Sequence, residues 1–189
     1  MEAIHSTVPS LKSAFDAVKI AQSHRYRHRT TMRRLLCLLL ALSTPYVFAQ
    51  ADRVRVLKSE RKLQILAGDT VLHEFGIALG GRPLGHKQQE GDQRTPEGRY
   101  TLDYRKPDSA YYKALHISYP EARDVAQAKT AGVSPGGLIM IHGQRNGFGW
   151  LAPLTQRFDW TDGCIGLRNE DMDVVWQIVG NGTPIDLLP

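Results

Sequence analysis

Between Val54 and Ala78 the chain carries short segments in which apolar and polar residues alternate, broken by a tight-turn sequence. Lys62-Leu63-Gln64-Ile65-Leu66 runs at period two, Ala67-Gly68-Asp69 follows as a turn, and Thr70 to Ala78 resumes the extended pattern. Such a stretch can bury one face only by pairing with neighbouring strands, which points to a hairpin or meander and excludes a helical bundle. Val54–Leu57, Arg99–Tyr104, Ala114–Tyr119 and Thr183–Leu188 add further strand candidates. Leu138-Ile139-Met140-Ile141 is a continuous apolar run, expected as a strand buried on both faces, and it delivers His142-Gly143 at its end.

Helical signals are few. Glu121–Ala131 is alanine-rich and is stopped by Gly132. Met172, Val175, Trp176 and Val179 recur at helical spacing behind Asn169, which is expected to cap that helix, with Glu170, Asp171 and Asp173 suited to its dipole. Gly80–Gln93 reads as a long loop, and Thr95-Pro96-Glu97-Gly98 as a β-turn. The expectation is a mostly β domain, sandwich or barrel-like, with one or two short helices over residues 52–189.

Of 24 Lys and Arg against 19 Asp and Glu, residues 1–51 hold seven bases and two acids. The remainder is balanced, 17 of each, so the basic excess belongs to the leader and no nucleic-acid partner is indicated. Arg33-Arg34 precede the apolar run Leu35–Leu42, then Ser43-Thr44-Pro45 and small-residue cleavage positions at Ala49 and Ala51. This order is that of a secretory signal over 32–51, too short for a stable transmembrane anchor of about 20 apolar residues. Residues 1–31 are expected to be an unstructured upstream extension, with translation beginning at Met32. The mature protein is expected in the periplasm.

Removing the signal removes Cys37 and leaves Cys164 alone. Exported chains use cysteines in pairs, so a lone thiol is a candidate nucleophile. A cysteine nucleophile needs a base, donors for the developing oxyanion and a group that orients the base. Cys164 sits in Thr161-Asp162-Gly163-Cys164-Ile165-Gly166-Leu167, where Gly163 permits a tight turn, and His142 stands at a strand end 22 residues upstream. No second cysteine or closely spaced histidine pair offers a metal site, and no Cys-x-x-Cys supports redox chemistry. Trp150 and Trp160 flank the intervening segment as cleft or core residues. Arg94 and Arg145 are loop arginines able to hold a carboxylate. His73, His86 and His116 read as surface or structural residues.

Ile141-His142-Gly143, followed by Thr161-Asp162-Gly163-Cys164-Ile165-Gly166-Leu167-Arg168-Asn169, resembles the signature of the YkuD-type L,D-transpeptidases, most closely their ErfK/YafK-like branch. Thr95-Pro96-Glu97-Gly98-Arg99-Tyr100 is similar to an upstream element of that family. The resemblance implies attack by Cys164 on the L-centre of diaminopimelate in peptidoglycan stem peptides, without a cofactor. It further implies His142 as base, the Gly143 carbonyl as its orienting group, and the N–H groups of Gly163 and Cys164 in the oxyanion hole. Thr161 stands where the family has Ser, and Gly166 where cross-linking members have Arg; Arg168, two residues on, is the candidate replacement. Asp162, Trp160 and Arg94 are candidate substrate contacts. Transfer to an amine and hydrolysis, including release of a wall-attached lipoprotein, share this acyl-enzyme. An inactive wall-binding module is the further alternative.

Overall fold

Eight strands and three helices are built from these patterns in the computed structural model, which describes residues 51–189. The upstream extension and the signal, up to residue 50, lie outside the described residues. Strands β1 (Arg53–Leu57), β2 (Lys62–Ala67) and β3 (Thr70–Gly76) form an antiparallel meander in which Val54, Val56, Leu63 and Ile65 point inward. Strand β8 (Thr183–Leu188) inserts Ile185 and Leu187 beside β1, parallel to it, and pairs antiparallel with β4 (Gly98–Ser109). Strands β5 (Tyr112–Ile117), β6 (Met140–His142) and β7 (Ile165–Gly166) complete the order β3-β2-β1-β8-β4-β5-β6-β7.

The two edges of this sheet meet. Beyond β3 the chain crosses to β7, where Ala78 and Gly166 exchange backbone hydrogen bonds of 2.9 and 2.8 Å. Leu79 and Gly81 extend the seam to Thr161 at 3.1 and 3.0 Å. The sheet is thereby closed into a barrel-like curl, and closure removes the exposed edges that an open sheet would leave. The interior is filled by Tyr100, Leu102, Leu115, Ile117, Ile141 and Ile165 with the strand residues above.

Helix α1 (Ala122–Thr130) starts with a capping box between Glu121 and Asp124. Buried Asp124 also accepts the Tyr100 hydroxyl proton, which ties the helix to the barrel. Helix α2 (Ala152–Thr155) is a single turn. Helix α3 (Asn169–Ile178) buries Met172 and Val175, while Trp176 lies half-buried with the Arg105 guanidinium 3.9 Å from its ring centroid.

Three expectations are corrected. Leu138 does not lie in a doubly buried strand; it is 70% exposed, in a left-handed backbone conformation, and β6 begins only at Met140. The β-turn expected at Thr95–Gly98 is not formed: Thr95–Glu97 has no regular secondary structure, Gly98 opens β4, and the buried Lys58 ammonium is bound to the segment. Lys58 Nζ donates to the Thr95 carbonyl (3.0 Å), the Gly85 carbonyl (2.8 Å) and Glu97 Oε1 (2.7 Å). The cap of α3 is Arg168, because the Asn169 side chain is engaged elsewhere.

Lys58 therefore holds both ends of the 85–97 segment against β1. Lys58→Ala leaves two carbonyls and a carboxylate unpaired, and is expected to cost about 3 kcal/mol in urea unfolding. An unchanged midpoint would show that the segment is held by other contacts.

Candidate active site

Strand β6 runs parallel to β7 with Ile141 opposite Ile165 and His142 opposite Gly166. Ile141 and Ile165 share the inward face, and Cys164 immediately precedes β7, whose Gly166 stands opposite His142. The pairing of two short strands thus brings together two chain segments that lie more than 20 residues apart in sequence, His142 ending one and Cys164 leading into the other.

The turn before Cys164 depends on two residues. Gly163 has φ +126°, and a Cβ there would stand 2.6 Å from the Arg94 carbonyl oxygen, so no other residue fits. Buried Thr161 donates its hydroxyl proton to the Cys164 carbonyl at 2.7 Å and accepts the Gly163 N–H at 3.2 Å. The Gly163 N–H is consequently occupied, whereas that of Cys164 meets no acceptor among the described residues.

His142 is buried, and its Nδ1 lies 2.7 Å from the Gly143 carbonyl oxygen. A carbonyl only accepts, so Nδ1 carries the proton and Nε2 is left with its lone pair. Asn169 secures this corner: its Oδ1 accepts the Gln144 N–H at 2.8 Å and would be 2.7 Å from any Cβ at position 143. Gln144 Nε2 in turn donates to the Leu167 carbonyl at 2.7 Å. The rings of Tyr111 and Trp160 confine the imidazole, with centroids 4.8 and 5.6 Å from its own.

Burial lowers the pKa of His142 and raises that of the Cys164 thiol. A hydrogen bond from the Met140 backbone and the charge of Lys87 favour the thiolate, while Asp162 opposes it. The S–H faces the Leu138 carbonyl at 3.6 Å. Both shifts favour the neutral thiol and the neutral imidazole over a preformed thiolate–imidazolium pair.

Other candidates are placed differently. Asp162 is exposed beside the thiol. Arg94 contributes its backbone to the Gly163 turn while its side chain reaches the His86 carbonyl at 3.5 Å. Arg168 is exposed at the start of α3. Trp160 covers Gly166, where an added Cβ would lie 3.0 Å from the indole ring. Tyr111, Leu138 and Lys87 were not anticipated as part of this site. Tyr111 sits in the β4–β5 turn and Lys87 in the Gly80–Gln93 loop, and neither lies in a motif that marks it.

The L,D-transpeptidase catalytic domain model, YkuD, matches residues 51–187. The chain belongs to this family. It is 31% identical over 132 residues to Escherichia coli K12 YafK, itself named only as a candidate L,D-transpeptidase, covering 67% of this chain and 46% of YafK. The helical cell shape determining protein Pgp2 of Campylobacter jejuni, solved as a K307A mutant, superposes with a TM-score of 0.56 at 25% identity. That match covers 75% of this chain and 48% of Pgp2. An L,D-transpeptidase from Mycobacterium smegmatis shares the fold, with a TM-score of 0.50 at 14% identity over 74% of this chain and 59% of that one. The chain spans about half the length of YafK and Pgp2. The expected mostly β, barrel-like architecture is that of these L,D-transpeptidase relatives.

Alkylation requires thiolate, and a raised pKa means that reaction of Cys164 with iodoacetamide gains rate up to a midpoint above the ordinary thiol range. Asp162→Asn removes an opposing charge and is expected to lower that midpoint, speeding alkylation at pH 8 by about two- to fivefold. A slower or unchanged rate contradicts this electrostatic account.

Proposed function

We propose that this protein is a peptidoglycan acyltransferase in which Cys164 attacks the carbonyl of the L-centre of diaminopimelate in stem peptides. The observation that carries this reading is the strand-end imidazole held by the Gly143 carbonyl, on a strand paired with the one that Cys164 leads into. The neutral His142 takes the thiol proton as sulfur approaches the carbonyl carbon, so burial of both groups suits a base that is free at neutral pH. A C–S bond forms, and the oxyanion is met by the Cys164 N–H. The C–N bond then breaks as the imidazolium returns its proton to the departing amine, leaving a thioester. Thr161 and Gly163 act by shaping the turn, with Asp162, Arg168, Trp160 and Arg94 around it.

An incoming amine closes the cycle as transpeptidation and water closes it as hydrolysis. Hydrolysis, including release of a wall-attached lipoprotein, is the second reading, and the observation that favours it is Trp160 covering Gly166, where cross-linking relatives carry Arg. The retained Cys164 and His142 weigh against an inactive wall-binding module. An export leader over 32–51 and a peptidoglycan substrate support a periplasmic location, and among the described residues no helix is long and apolar enough to cross a membrane. Likeness to Pgp2, a helical cell shape determining protein, supports a role in wall shaping.

The test is mass spectrometry of stem-tetrapeptide muropeptides and lipoprotein-linked peptidoglycan incubated with the protein or with Cys164→Ala. Cysteine-dependent dimers joined through the L-centre are expected for transfer, and cleaved monomers or freed lipoprotein for hydrolysis. His142→Ala is expected to lower turnover by about 10²- to 10⁴-fold. Residual product above a few percent of wild type in Cys164→Ala, a margin of about 2 kcal/mol, would remove the thiol from the mechanism.

A further inference from the structure

Of the twelve exposed large apolar side chains among the described residues, Phe148, Trp150, Leu154 and Phe158 fall in one short stretch between His142 and Cys164. Gly149–Leu151 forms a 3-10 turn that runs into α2. The amides of Arg157 and Phe158 carry the helical course on, donating to the Leu154 and Thr155 carbonyls at 3.1 and 3.2 Å. The inner side of this turn is already used. Ala152 is buried, while Leu151 and Thr155 wall a cavity shared with Tyr111 and Trp160, the rings around the His142 imidazole. Trp150, Leu154 and Phe158, spaced four residues apart, fall on the outer side and are 74, 54 and 63% exposed. A helical turn that is apolar on both sides is expected to be covered on both.

Charge and area decide what covers the outer side. Residues 143–158 contain no Asp or Glu. Their two cations, Arg145 and Arg157, are exposed and form no ion pair among the described residues. Asp159, which follows, is taken by Arg61 at 2.8 Å. A second copy paired on this stripe would set Arg157 against Arg157. The four apolar side chains expose on the order of 400–500 Å² together, at roughly 150–250 Å² for each large one. That is high for a monomer surface and about half of the ~800 Å² that each partner gives to a stable protein interface. A glycan strand needs hydrogen-bonding side chains beside the aromatic faces, whereas the exposed residues between Trp150 and Phe158 are Pro153, Leu154 and Arg157. A bilayer surface needs neither a large area nor directional partners, and it takes Trp, Phe and Leu on one side with Arg reaching the headgroups.

We propose that the outer side of the 149–158 turn docks on an anionic phospholipid bilayer, with Trp150, Leu154 and Phe158 in the interface and Arg145 and Arg157 on lipid phosphates. The contact is peripheral and reversible, since three side chains and two charges fall far short of a spanning helix. It does not depend on the acyl-enzyme chemistry. Its consequence concerns that site, because the other side of the same turn walls the cavity next to the base. A docked molecule holds His142 within about one helix diameter, roughly 10 Å, of the turn that meets the headgroups.

The experiment titrates the full chain with vesicles of phosphatidylcholine, alone or mixed equally with phosphatidylglycerol, whose acyl chains carry bromine to quench indole fluorescence. The Trp150 signal is the difference between wild type and Trp150→Phe. It is expected to be quenched by the mixed vesicles and to recover in high salt. Phe158→Ser is expected to raise the lipid concentration required by about 10-fold. Arg157→Gln is expected to raise it about fivefold on mixed vesicles and not at all on phosphatidylcholine. Both residues are exposed, so melting temperature and iodoacetamide alkylation of Cys164 should stay as in wild type. A Trp150 that lipid leaves unquenched overturns the inference. Quenching that neither variant weakens also overturns it, by assigning the contact to the apolar leader. Trp150 shielded from acrylamide by peptidoglycan sacculi or by rising protein concentration, and not by lipid, gives the surface to the wall or to a second copy instead.

Discussion

The seam between Ala78 and Gly166 is the contact on which the rest of the molecule depends. It converts an eight-stranded sheet with two free edges into a closed curl, and it fixes β7 at the place where Cys164 enters. Two backbone hydrogen bonds would be weak in water, yet here they lie among buried residues, where leaving either group unpaired is costly. The position of the thiol thus depends on sheet closure as well as on its own turn.

The chemistry is arranged around burial. Burial of the imidazole and partial burial of the thiol push both groups toward their neutral forms. Neighbours then correct the balance in small steps: Lys87 and the Met140 backbone toward thiolate, Asp162 away from it. Leu138 bears the backbone strain of this arrangement, since its left-handed conformation accompanies a carbonyl turned toward the sulfur.

Legibility in the sequence followed the range of the interactions. Strands β1, β2 and β8 were readable because alternation is local, and Cys164, His142 and Gly163 because a lone thiol, a strand-end imidazole and a turn glycine sit within motifs. What escaped was set by groups far apart in the chain. Leu138 looked like core because it adjoins Ile139 and Ile141, but its exposure depends on where β6 begins to pair. Asn169 looked like a cap because it precedes a helix, although its side chain is taken by Gln144, 25 residues upstream. Lys58 carried no signal at all, since an isolated lysine is ordinarily solvated and only the approach of Thr95 and Glu97 explains its burial.

The packing of Trp160 on Gly166 also constrains how such a protein can diverge. With the indole in contact distance of the glycine backbone, any side chain at 166 meets the ring before it meets substrate. A larger residue at this position has to push the indole aside, and in doing so shifts one of the two walls around the imidazole, so a change at 166 is felt at His142 without touching it.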